Sequence, residues 1–229
     1  APPRVSTITP SGGHRTGGTV VTISGDGFDV LDGGSYVSCQ YGSPLNAAYN
    51  ERYTITRPSL VTRTSIVCAA PSTKVTDTRE LWVALNGYAL GSGRDARPTG
   101  QNYTYYNPPS VFSVLPEAGV FSGGTVVTLL GQGFFGLGGN KKLASCRFVT
   151  SNAVKDTPPE VLNPDSWTCR SPSQMGIAEG EAASVLVTLN AQQYVDTTYR
   201  FSYYGLTINN VLVNGGPPGG VAGGNTIVT

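Results

Sequence analysis

Helix formers are scarce in this chain. It has one methionine, and Lys and Glu are few, so long helices are not expected. No apolar run of 18 residues occurs, which excludes a hydrophobic transmembrane helix, and no signal-peptide pattern appears. Charge of either sign is in short supply as well: 15 Lys and Arg stand against 14 Asp and Glu, a formal net charge of +1. That balance leaves no basic field to track a phosphate backbone, so nucleic-acid binding is not expected. Histidine occurs once, as His14, and the four cysteines include no Cys-x-x-Cys pair, so the ligand clusters of a zinc site are missing and no metal or other cofactor is expected. Gly-rich runs such as GDGF and GQGFFGLGG lack a following Lys-Ser/Thr and any strand-to-helix pattern, which excludes a phosphate loop.

Glycine and proline, by contrast, are plentiful at 30 and 16, alongside many Thr, Ser and Val residues. This composition predicts short strands joined by tight turns. The chain also repeats itself. Residues 10–28, PSGGHRTGGTVVTISGDGF, match residues 116–134, PEAGVFSGGTVVTLLGQGF, at an offset of 106. Further along, VSCQY at 37–41 matches ASCRF at 144–148, IVCAAPS at 66–72 matches WTCRSPS at 167–173, and YTYY at 103–106 matches FSYY at 201–204. The offset falls to 98 by the last pair, so the copies differ in length at their loops. A third opening is visible: Pro217, Gly224, Thr226, Ile227, Val228 and Thr229 repeat the spacing of Pro10, Gly17, Thr19, Val20, Val21 and Thr22. The expected organisation is a first module over 1–107, a second over 108–205, and the opening strands of a third over 206–229, as in a segment of a longer array. A start at Ala1 without methionine fits a processed N-terminus or a fragment.

In the first copy, TVVTISG sets Thr19, Val21 and Ile23 against Val20, Thr22 and Ser24, as in a half-buried strand, and a Gly-Gly turn precedes it. Turn signals every 8–12 residues and about seven strands per copy predict an all-β fold, two tandem immunoglobulin-like sandwiches. Asn107, Pro108 and Pro109 form a short, stiff tether between them. Four cysteines allow three pairings. Only Cys39 with Cys68 and Cys146 with Cys169 keep the copies alike, and two such disulfides imply an oxidising, extracellular or cell-surface setting. Asn102-Tyr103-Thr104 is a glycosylation sequon at the opening of the last strand of the first copy.

Taken together, Pro-x₆-Gly-Gly-Thr-Val-Val-Thr-x₂-Gly-x-Gly-Phe, a strand-ending Cys and then Cys-x-x-Pro resemble the IPT/TIG domain, the immunoglobulin-like module of plexins, growth-factor receptors and some transcription factors. The resemblance covers both copies and the third opening. It implies a stalk or protein-binding unit of an ectodomain; the DNA-gripping members differ by having a basic groove.

Catalysis is not expected. His14 has Val120 as its counterpart and reads as a solvated turn residue, and no Asp or Glu recurs at a motif position. Asp26, Asp29 and Asp32 lie in a Gly-rich loop, but their spacing is not that of a calcium loop and the second copy has no carboxylate there. The copies differ most in the loops around Arg52 and Tyr53, and around Tyr88, Arg94 and Arg97, which are longer in the first; the second exposes Phe135 and Leu137. Tyr and Arg dominate interface hot spots, which makes these the candidate partner-binding loops. The expected function is therefore non-catalytic: adhesion, receptor-ectodomain or filament assembly through protein partners or further copies of itself, with no membrane insertion by this segment. The alternative is an accessory module of a secreted carbohydrate-active enzyme, with Tyr88 or Phe135 stacking on sugar.

Overall fold

The computed structural model describes residues 3–28, 35–42, 54–86, 96–134, 142–173, 175–176 and 181–205. Among them every regular element is a strand, nine in each repeat rather than about seven. The excess has a local cause. Strand β1 (Arg4–Thr9) pairs antiparallel with β3 (Val20–Asp26) only until Thr9 faces Thr22. Pro10, with no N–H to donate, cannot prolong that ladder, and the chain crosses to the opposite sheet as β2 (Gly12–His14). There β2 runs parallel to the last strand of the module, β9 (Ala96–Tyr106).

Between them lie β4 (Ser38–Tyr41), β5 (Thr54–Thr56), β6 (Pro58–Val61), β7 (Ser65–Ala69) and β8 (Thr78–Ala84). They form one sheet in the order β1-β3-β7-β6 and a second in the order β2-β9-β8-β4-β5. The second module repeats the plan with β10 (Ser110–Leu115), β11 (Ala118–Val120), β12 (Val126–Gln132), β13 (Ser145–Val149), β14 (Val154–Thr157), β15 (Pro159–Leu162), β16 (Ser166–Arg170), β17 (Ala182–Thr188) and β18 (Val195–Tyr204). Its sheets are β10-β12-β16-β15 and β11-β18-β17-β13-β14.

Alternation along β3 sends Val21 and Ile23 into the core, fully buried, while Val20, Thr22 and Ser24 face outward. Each such side chain contributes about 1.5–3 kcal/mol by leaving water. Cys39 on β4 is bonded to Cys68 on β7, and Cys146 on β13 to Cys169 on β16, so each bridge ties one sheet of a module to the other. Around the first bridge the core is rich in phenols: Tyr41 meets Tyr103 edge-on at 5.2 Å, and Tyr103 meets Tyr105 at 4.9 Å. In the second module Phe148, Phe201 and Tyr203 take these places, and Trp167 packs edge-on against Phe134 at 5.5 Å. The Gly-x-Gly-Phe motif owes its first glycine to close approach. A Cβ on Gly25 would lie 2.0 Å from the Arg4 carbonyl oxygen, and one on Gly131 would lie 2.1 Å from that of Ser110.

Two expectations need correction here. Asn102 does not open the last strand, and Arg97 is not in a loop. Strand β9 starts at Ala96, because a register shift between Glu80 and Trp82 lets its early part pair again, Arg97 facing Val83 and Pro98 facing Trp82. Arg97 and Asn102 are both exposed on this strand, Asn102 opposite Glu80.

Candidate functional site

Three residues, Asn107–Pro109, separate β9 from β10, so the modules meet end to end. The end of the first module presents β2, the Gly17-Gly18 turn and the start of β3. Against it lies the turn of residues 189–194, which joins β17 to β18 in the second module. The tight Gly-Gly turn demands glycine: Gly17 has φ +80° and Gly18 φ +84°, and a Cβ on Gly17 would meet the Ser72 nitrogen at 2.5 Å.

Because β1 stops opposite Thr22, the N–H and C=O of Val20 have no strand partner on that side. Gln192 supplies one. Val20 N–H donates to Gln192 Oε1 at 2.9 Å, and Gln192 Nε2 donates to Val20 C=O at 2.8 Å. Gln193 enters beside it. Its Oε1 accepts from His14 N–H and Thr19 Oγ1, each at 2.8 Å, while its Nε2 donates to Gly17 C=O at 3.0 Å. Asn190 Nδ2 adds a bond to Gly12 C=O at 3.4 Å, which makes six hydrogen bonds across the junction. All six use a side-chain amide from the second module, and five of the six partners in the first are backbone groups.

The amide turn is itself shaped by its own residues. Buried Asn190 takes the N–H groups of Gln192 and Gln193 on its Oδ1, at 3.1 and 2.9 Å, an Asx-type turn. Ala191 takes φ +59° within it. Next along the chain, Tyr194 is held from β13 and β14. The Arg147 guanidinium lies over the Tyr194 ring at 3.6 Å and donates to its hydroxyl at 2.8 Å; Arg147 also makes a two-bond pair with Asp156, both bonds at 2.7 Å. Hydrogen bonding from Arg147 holds the Asp156 carboxyl below the usual carboxylate range.

His14 sits in this junction and is no solvated turn residue. It is the last residue of β2, 8% exposed, with its ring edge-on to Tyr106 at 5.3 Å. The turn begins one residue later, at Arg15, whose Nε donates to Asn107 Oδ1 of the tether at 2.7 Å. Burial lowers the His14 pKa. Tyr106 packs with the core residues of the second module, so the interface has an apolar centre as well as an amide rim. Burial raises the Tyr103 phenol to about 12 and pushes up those of Tyr41 and Tyr105, which keeps all three neutral at ordinary pH.

Of the partner-binding candidates, Arg97 is on β9, while Arg52, Tyr53, Tyr88, Arg94 and Phe135 lie outside the described residues, as do Leu137, Asp29 and Asp32. Asp26 ends β3, exposed. Among the described residues no group of three or more His, Cys, Asp and Glu is placed to hold a metal ion. Asn190, Gln192 and Gln193 were not among the candidates from sequence. The signal available was a short turn with three amides, in a place where the first copy has a longer loop rich in glycine and arginine.

A pair of disulfide-bridged immunoglobulin-like sandwiches, docked end to end, defines an extracellular or cell-surface β-module array. The sequence pattern of the IPT/TIG domain matches residues 3–105 and 109–203, and the chain belongs to that family. Human plexin-B3 is 28% identical over 230 residues, covering 99% of this chain and 10% of plexin-B3. Two structures of the plexin A4 extracellular region match, and the first shows a similar fold. One of domains 1 to 10 matches with a TM-score of 0.56 at 20% identity, over 92% of this chain and 16% of that one. Another, of domains 1 to 8, gives 0.49 at 21% identity, over 88% and 18%. The chain thus spans about a tenth of the plexin-B3 length.

Proposed function

We propose that this chain is a non-catalytic segment of a receptor or adhesive ectodomain, in which two sandwiches are locked into one rigid unit that holds protein-binding loops at a fixed spacing. The observation that carries this reading is the junction: six amide hydrogen bonds and the buried Tyr106 and His14 rings join the modules across a three-residue tether. A short tether gives the two faces an effective concentration on the order of millimolar, so even weak contacts stay closed. The segments carrying Arg52, Tyr53, Tyr88, Arg94 and Phe135, together with the exposed Arg97 of β9, are the surfaces we assign to protein partners. Modules over 1–107 and 108–205, with a third opening in 206–229, are the units of the proposed array.

Small-angle scattering of the chain tests the reading. A single fixed arrangement of the modules is expected to fit the wild-type curve. The Asn190→Ala/Gln192→Ala/Gln193→Ala variant is expected to need a broad ensemble. A wild-type curve that already needs the same broad ensemble as the variant overturns the proposal.

A further inference from the structure

The end of the second module carries a copy of the surface that the first module uses at the junction. The match holds bond by bond along the backbone. Gly17 N–H donates to His14 C=O at 2.9 Å and Gly123 N–H to Val120 C=O at 2.9 Å; Gly18 N–H donates to Ala70 C=O and Gly124 N–H to Ser171 C=O, both at 2.8 Å. Arg15 N–H donates to Tyr106 C=O, and Phe121 N–H to Tyr204 C=O. Gly123 and Gly124 have φ +74° and +81°, as in the first turn. Strand β10 stops where Leu115 faces Thr128, so the N–H and C=O of Val126 point past its end, as those of Val20 do past Thr9.

The difference is cover. In the first module Thr19 is fully buried and His14 nearly so beneath the amide turn. Their counterparts Thr125 and Val120 are only half-buried. Among the described residues no hydrogen-bond partner meets Val126 N–H and C=O, Val120 N–H, Gly123 C=O or Thr125 Oγ1. Arg170 Nη1, donating to Gly124 C=O at 3.0 Å and paired with Glu160, gives the rim a polar character that an apolar occupant would leave unsatisfied.

We propose that this surface is the docking site for a following module of the same fold. The occupant is the turn between that module's last two strands, and it brings two side-chain amides. One meets both polar groups of Val126; the other meets Val120 N–H, Thr125 Oγ1 and Gly123 C=O. The inference rests on the array reading above, and residues 217–229, which repeat the spacing of the module opening, lie immediately downstream in the sequence.

The test adds a module whose docking turn is known. Residues 108–205 are appended a second time after residue 205, which preserves the tether spacing, and backbone amide exchange is measured by NMR. In the parent 1–229 chain, Val126 and Val120 are expected to exchange at least tenfold faster than Val20 and His14; equal rates overturn the proposal. In the extended chain, Val126 and Val120 are expected to slow at least tenfold, and to recover parental rates when the glutamines of the added copy equivalent to Gln192 and Gln193 become alanine. Parental rates in an extended chain with its third disulfide formed overturn the proposal, as does slowing that ignores those glutamines. Val20 and His14 serve as the internal reference. If they are unprotected in the parent, the rigid-unit reading fails; if they are protected while Val126 never is, only the docking surface fails.

Discussion

Gln193→Ala isolates what the junction contributes. Its Oε1 takes donors from His14, Thr19 and Asn190, and its Nε2 serves Gly17, so truncation removes every one of these bonds. Neutral hydrogen bonds net about 0.5–1.5 kcal/mol each, and a buried partner left alone costs about 1–3 kcal/mol. The losses do not add in full. Once the faces part, water reaches His14 N–H and Thr19 Oγ1, so the penalty is capped by the cost of opening. About 2 kcal/mol against the closed junction is a reasonable expectation, which raises the open population about thirtyfold, since 1.4 kcal/mol is tenfold. Amide exchange at His14 and Val20 should quicken by that factor. Val21 and Ile23, buried within β3, should keep their rates because the module itself is untouched. Rates at His14 within twofold of wild type would refute the reasoning. So would an equal rise at Val21, which would make the effect a general loss of stability.

Three further outcomes are expected. Gly17→Ala and Gly18→Ala share the backbone cost of a positive φ, about 1–3 kcal/mol, but only at Gly17 would the new Cβ also meet backbone, at 2.5 Å, whereas Gly18 faces open space; chemical denaturation should rank Gly17→Ala as clearly the worse. Produced in a eukaryotic secretory host, the chain should lose the mass of one N-glycan on enzymatic deglycosylation, and Thr104→Ala should abolish that difference; an unshifted wild-type mass counts against modification at the exposed Asn102. His14 is neutral in its buried place and its pKa lies below the unfolded value of about 6.5. Its contribution is therefore complete above pH 6.5 and is lost as pH falls below it, because the unfolded chain takes up the proton first. Urea midpoints should drop between pH 7 and 5.5, and His14→Val, the residue of the second module, should flatten that slope.

How far the sequence reveals this molecule depends on whether a feature lives in side chains or in backbone. Val21 and Ile23 announce β3 by their alternation, and the cysteine positions, compared between copies, leave one symmetric pairing. The strand β2 is different. Its sequence, Gly-Gly-His, has no strand signal at all; it exists because the chain, past Pro10, lies parallel to β9 and takes its bonds there. His14 therefore reads as a turn residue until the second module and Tyr106 close over it. Asn190, Gln192 and Gln193 are hidden for a related reason: five of the six groups they bind are peptide N–H and C=O groups, which every residue has.

That asymmetry bears on how an array of such modules can vary. A surface read through its backbone tolerates different side chains, so Arg15 can be Phe121 and His14 can be Val120 without changing which polar groups are offered. The occupant is held more tightly to type. Val20 presents a donor and an acceptor side by side, and one side chain must satisfy both. A carboxylate accepts without donating at neutral pH, and an ammonium donates without accepting. Only an amide does both with the reach and planarity of the peptide it replaces. A Gln192→Glu change, nearly identical in shape, should thus weaken the junction by setting a carboxylate oxygen against Val20 C=O, and exchange at Val20 N–H would register it. Equal exchange in that variant and the wild type would mean that the amide acts through shape alone.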